Sequence, residues 1–170
     1  MPAAIAAPTP VSSLVHSSTL VTAGVFVLVR YNYVFSLISS KLLGGISLFT
    51  MVRAGVIAFL EKDFKKVVAI STLSQLGIII FVLRYGLISL SFLHLVIHAF
   101  FKRILFLSAG TLIRHEGGGQ DSRYFGGDLV CGASVFFFVR CCCLGGFPFL
   151  IGFYSKDFII SSNLNRASLV

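Results

Sequence analysis

Long apolar runs separated by short polar clusters pattern this chain from end to end, and the runs are the length that membrane-crossing helices need, roughly 20 residues each. The first, Val11–Val29, follows Pro8-Thr9-Pro10, and prolines suit a helix start because an N–H donor is not needed there. Arg30-Tyr31-Asn32-Tyr33 reads as a short polar turn carrying aromatic rings of the kind that sit at a membrane interface. Further helices are predicted over 34–60, 67–83 and 87–113, separated by the charged run from Glu61 to Lys66 and by Arg84-Tyr85-Gly86. After the fourth comes a polar, glycine-rich stretch from Arg114 to Asp128. A fifth helix is predicted over 129–160, broken near 145–148, where Gly145-Gly146-Phe147-Pro148 removes side-chain packing and one backbone donor inside an apolar run. Membrane transporters place such breaks at ion pathways; the plainer alternative is a loop between two short spans. The pattern as a whole predicts an all-α, polytopic membrane helix bundle of about five spans with one broken helix, in a single transmembrane domain over residues 1–170.

Composition supports that solvent assignment, with 56% hydrophobic and 12% charged residues and a mean hydropathy of +0.96. Loops this short leave no room for a separate soluble catalytic domain. The net charge of +8 does not mark a nucleic-acid surface, because the basic residues lie at span ends rather than in a patch interleaved with aromatics. They report topology instead. Lys62, Lys65, Lys66, Arg114 and Arg123 fall on one side, against Arg30 and Arg84 on the other, so the richer side is expected to be cytoplasmic or, in an organelle, the matrix. Met1–Pro10 lacks the positive region of a cleavable signal or transit peptide. Cys131, Cys141, Cys142 and Cys143 contain no CxxC pair and are expected to be buried, unpaired thiols filling helix surface, with no metal site. Phe at 18 residues with no Trp is the bias that T-rich organellar coding would produce.

The costliest residues sit in the fourth run. His94, His98 and Lys102 recur at four-residue steps, which places them on one helix face over about 12 Å. Ionisable groups at membrane depth normally face a bundle interior or a hydrated path, where they can pass protons. Two alternatives stay open: histidines that only hydrogen-bond neighbouring helices, or a metal pair, which would lack a nearby carboxylate because no acid lies between Asp63 and Glu116. His16 lies among hydroxyls in Val15-His-Ser-Ser-Thr-Leu20. Lys65 and Lys66 open a helix that continues through Ser71, Thr72, Ser74 and Gln75, which is either an inward hydrated path or a snorkelling cation above hydroxyls bonded to their own helix. Lys156 and Asp157 follow the predicted break.

Four ordered segments, Ala7–Gly24, Asp63–Gly77, His94–Lys102 and Gly146–Asp157, resemble the subunit 5 family of respiratory NADH:ubiquinone oxidoreductase, a branch of the antiporter-like membrane subunits. The resemblance implies the inverted-repeat fold of that group, with broken helices and an intramembrane axis of lysines, histidines and acids that carries protons coupled to quinone reduction in other subunits. By motif position it would place His16 in the first half-channel and Lys65 on the matrix-side path. His94 and His98 would form the central relay, Lys102 its continuation, and Lys156 the terminal lysine of the second half. The chain would then belong to a proton-translocating NADH:ubiquinone reductase without redox chemistry or a cofactor of its own. It would sit in the mitochondrial inner membrane, or the bacterial one, in contact with lipid and other membrane-arm subunits of complex I and not with nucleic acid. The match covers only part of the family protein, so the early helices and the lateral helix are expected from a second chain or a longer one. Arg53, Arg103 and the cysteine run depart from the family pattern. Two other readings fit less of the residue pattern: the large subunit of a multi-subunit sodium/proton antiporter, and a structural remnant that does not pump.

Overall fold

The computed structural model describes residues 20–115, 117–123 and 131–167. These form six helices: α1 Leu20–Arg30, α2 Asn32–Leu60, α3 Phe64–Arg84, α4 Ile88–His115, α5 Cys131–Gly145 and α6 Ile151–Ala167. His16 and the start of the first apolar run lie outside the described residues. The turn expected at Arg30–Tyr33 narrows to one residue, since only Tyr31, at φ −100° and ψ 23°, leaves helical geometry between α1 and α2.

Among the described residues three segments, Leu42–Leu60, Phe64–Arg84 and Ile88–His115, are long and apolar enough to cross a membrane. The last apolar run splits into helices of 15 and 17 residues, each short of the roughly 20 that one crossing needs. The interruption falls where the glycines and proline stand, with Gly146 at φ 88° and Phe149 at φ 72°. A positive φ is costly for phenylalanine and routine for glycine.

α2 and α3 pack antiparallel along their length. A Cβ added to Gly77 would come within 2.9 Å of the Ser47 carbonyl and 3.0 Å of Met51 Cβ, so the absence of a side chain there lets the two backbones approach, as small residues do between membrane helices. Gly86, at φ 72°, ends α3 in the left-handed conformation common at helix C-termini, its N–H donating to Leu83 O at 2.9 Å. At the other end two connections pair with each other. Phe64 N–H donates to Gln120 O at 2.9 Å and Ser122 N–H to Lys62 O at 3.0 Å, flanking an antiparallel bridge between Asp63 and Asp121. The α2–α3 connection and the segment after α4 therefore share one face of the bundle, the pairing of loops that the alternating topology requires.

Polar groups are buried beside the apolar core, and many large apolar side chains are exposed. Ser47, Lys65, Thr72, Ser91, His94, His98, Lys102 and Ser155 are buried, whereas Phe49, Phe59, Phe100, Phe138 and Phe149 are exposed. Apolar side chains facing outward suit lipid, and polar ones inside mark the working interior of a membrane bundle. Two apolar clusters flank that interior. Val68, Ala69, Leu105 and Phe106 meet Phe137 and Leu144, while Val25, Leu76, Ile79 and Leu95 pack with Val29. These clusters fix α4 against α1, α3 and α5, so the polar face of α4 points at the broken helix.

Candidate functional site

The four-residue spacing on α4 does what a helix of 3.6 residues per turn dictates: His94, His98 and Lys102 share one face, and each is 3% exposed. The rings of His94 and His98 lie 6.4 Å apart, centroid to centroid. Each residue then meets a different neighbour.

His94 is held from two sides. Its Nδ1 lies 3.2 Å from Ser155 Oγ on α6, and its Nε2 lies 3.4 Å from Gln75 Oε1 on α3. With both nitrogens engaged by neutral side chains, the ring is not presented as half of a histidine metal pair. His98 differs, because its Nε2 is buried without a hydrogen-bond partner among the described residues. A polar atom left that way is a site for water or for a group on another chain.

Lys102 donates from Nζ to Ser71 Oγ and, at 3.4 Å, to Val68 O. Ser71 can accept because its own hydroxyl proton goes to Val68 O at 2.7 Å. Thr72 and Ser74 bond back to Ala69 O at 2.6 Å and Ser71 O at 3.3 Å. The polar residues of α3 thus divide: Ser71 and Gln75 reach across to α4, and Thr72 and Ser74 turn to their own helix. Lys65 is buried on the same helix at 8% exposure but joins none of these contacts. Its neighbour Lys66 points outward and pairs with Asp63.

Lys156 reaches from α6 to the end of α5, donating from Nζ to Leu144 O and to Gly145 O at 3.3 Å. The last carbonyls of a helix lack intrahelical donors and carry the negative end of its dipole, so a lysine there completes the broken end of α5. Asp157 is exposed. The helix crossing leaves no spare space, since a Cβ on Gly152 would overlap the Cys143 carbonyl. A cavity of about 260 Å³ lies between α3, α4 and α5, with Ser71, Gln75, Lys102 and Cys141 as its polar lining and Leu144 and Gly145 at one edge. It runs from the glutamine that holds His94, past Lys102, to the residues that hold Lys156, with room for several waters.

Of the expected site residues, His94, His98, Lys102 and Lys156 converge here; Lys65 lies on the adjoining helix outside the contact network, and His16 falls outside the described residues. Arg53 and Arg103 are exposed on the outer surface, with the Arg53 guanidinium 6.0 Å from the Phe49 ring. Cys143 is buried as expected of an unpaired thiol, but Cys141 is exposed and borders the cavity. Sequence spacing gives no sign of Ser155, whose place beside His94 depends on how α6 crosses α4. Arg140 is equally illegible: its Nε and Nη1 are buried without a hydrogen-bond partner among the described residues, while its guanidinium lies 5.7 Å from the Phe136 ring centroid.

Comparison with known proteins adds an independent line. NADH-ubiquinone oxidoreductase chain 5 of Aedes aegypti is 49% identical over 170 residues, covering 95% of this chain and 28% of the relative. The protein of the same name from Locusta migratoria is 48% identical over 166 residues, covering 94% and 28%, and that from Artemia franciscana 47% identical over 165 residues, covering 96% and 30%. The chain therefore spans under a third of the length of these curated relatives. The family described as NADH:quinone oxidoreductase/Mrp antiporter, transmembrane, matches residues 1–170. By that full-length match, and with a lipid-facing bundle around a buried histidine–lysine face, this chain belongs to the NADH:quinone oxidoreductase/Mrp antiporter transmembrane family.

Proposed function

We propose that this chain is a segment of the proton-translocating machinery in the membrane arm of an NADH:ubiquinone oxidoreductase, resident in the mitochondrial inner membrane. The supporting observation is the buried His94–His98–Lys102 face, whose Lys102 lines a cavity edged by Leu144 and Gly145, the residues that Lys156 of the broken helix bonds. Such groups are expensive to hold among apolar helices, and packing alone would be served better by leucine. Imidazole accepts and releases protons near neutral pH, and a lysine ammonium can pass one to water in the adjoining cavity. In this reading His94 and His98 carry the proton along α4. Lys102 exchanges it with the cavity, and Lys156 receives it at the break, where its ammonium donates to the last α5 carbonyls. Lys65 supplies the approach along α3, and His16 extends the axis on the N-terminal side.

The chain holds no flavin, nicotinamide, iron–sulfur cluster or metal in this reading. Electron transfer belongs to other subunits, which drive the relay through the assembled membrane arm. The helices that complete the family architecture come from chain beyond the present segment or from a partner subunit. The names of the relatives, all chain 5 of the oxidoreductase, favour this assembly over a sodium/proton antiporter.

The test is Lys102→Met, carried in the full-length chain of the assembled complex and measured in sealed vesicles as protons moved per NADH oxidised. The expected result is a several-fold drop with the amount of assembled complex unchanged. A ratio equal to that of the parent would overturn the assignment of Lys102 to the relay.

A further inference from the structure

Ser155 is part of no assignment made so far, yet it touches both the relay and the break. Its Oγ lies 3.2 Å from His94 Nδ1 and 3.2 Å from Gly152 O, and a hydroxyl has one proton to give. It cannot donate to both. When Nδ1 carries a proton, His94 donates to Ser155 Oγ and the hydroxyl donates onward to Gly152 O. When Nδ1 is bare and Nε2–H points to Gln75 Oε1, the hydroxyl must turn to His94, and Gly152 O loses that donor.

Gly152 is no ordinary acceptor. It stands in the first turn of α6, where backbone touches backbone against the Cys143 carbonyl of α5. One turn further along α6, Lys156 holds the Leu144 and Gly145 carbonyls. The two acceptors open to the Ser155 proton therefore belong to the relay and to the crossing of the broken helix.

We infer that Ser155 is a positioning residue that couples the charge of His94 to the crossing of α5 and α6 by moving one hydroxyl proton between His94 Nδ1 and the Gly152 carbonyl. This rests on the proposed relay function. The only proton gained or lost is the transported one, which binds the Nδ1 lone pair from water or a neighbouring relay group; the O–H bond of Ser155 rotates and does not break. The titratable groups around His94 are His98 on α4, 6.4 Å away between ring centroids, and Lys156 on α6. α3 presents the neutral Gln75, and α1 packs against Leu95 through apolar Val25.

The distinguishing variants are Ser155→Ala, Ser155→Cys and Ser155→Thr in the full-length chain of the assembled complex, with proton pumping measured at neutral pH. A hydroxyl that accepts from an imidazolium makes a charge-assisted bond, stronger than the bond it gives the neutral ring. Without it pumping should fall several-fold at neutral pH. Threonine should restore the parental rate. Cysteine, near in shape but a weak donor, should behave as alanine does, and decides the matter if the alanine variant fails to assemble. Parental rate in the alanine and cysteine variants, or failure of threonine to rescue, would overturn the coupling. His94→Phe separates the two levels: if it pumps normally the relay itself fails, and if it does not while Ser155→Ala does, only the role of Ser155 fails.

Discussion

At the scale of single residues, three ionisable side chains on one helix face have three different chemical positions. His94 is bonded through both nitrogens, Lys102 is held by Ser71 and Val68, and His98 keeps a buried Nε2 with no hydrogen-bond partner among the described residues. That orphan atom is a cost to folding without an evident structural return in this segment. His98→Leu should therefore leave thermal stability equal to the parent or raise it by about 1 kcal/mol, because a buried polar atom without a partner is removed. Pumping should fall in the same variant, since the nearest ionisable groups left on α4 are two turns of helix apart. Paired measurements of thermal unfolding and proton flux check this, and undiminished flux would show that protons pass between His94 and Lys102 without His98. The sequence spacing made this face legible. It did not show which of the three is satisfied, because their partners, Gln75, Ser155 and Ser71, come from α3 and α6.

At the scale of elements, two glycines without side-chain chemistry determine how helices meet. Gly77 lets α3 lie against Ser47 and Met51 of α2, and Gly152 lets α6 cross α5 at the Cys143 carbonyl. Gly77→Leu should destabilise the bundle by about 1–3 kcal/mol through overpacking, seen as a lower unfolding midpoint in detergent. The glycine–proline run marked the break of the last helix in the sequence. Which carbonyls the break would free, and that Lys156 would bond them, depended on the angle at which the second half returns.

At the scale of the whole molecule, many large aromatic and aliphatic side chains face outward, while hydroxyl, imidazole and ammonium groups are buried beside the apolar clusters. The pairing of Lys62 with Ser122 and of Phe64 with Gln120 fixes two connections on one side of the membrane, opposite the turn at Gly86. Single cysteines introduced at Lys62 and Ser122 in a background whose native thiols are blocked should label with an impermeant reagent from the same side, and one at Gly86 from the other. Labelling of positions 62 and 122 from opposite sides would contradict the arrangement of α2, α3 and α4.

The sequence by itself determined the lipid-facing character of the chain, the helical elements and the shared face of His94, His98 and Lys102, because hydropathy and helical period are local properties that tertiary contacts do not alter. It also located the break, because glycine and proline act on their own backbone. Tertiary structure alone decided which neighbour each ionisable group meets. Ser71 and Gln75 reach α4 while Thr72 and Ser74, on the same stretch of α3, bond their own carbonyls. Lys156 bonds the end of α5 while Asp157 is exposed. Those outcomes depend on helix rotation and crossing, which clusters distant in sequence set by burying Val25 against Leu95 and Val68 against Leu105.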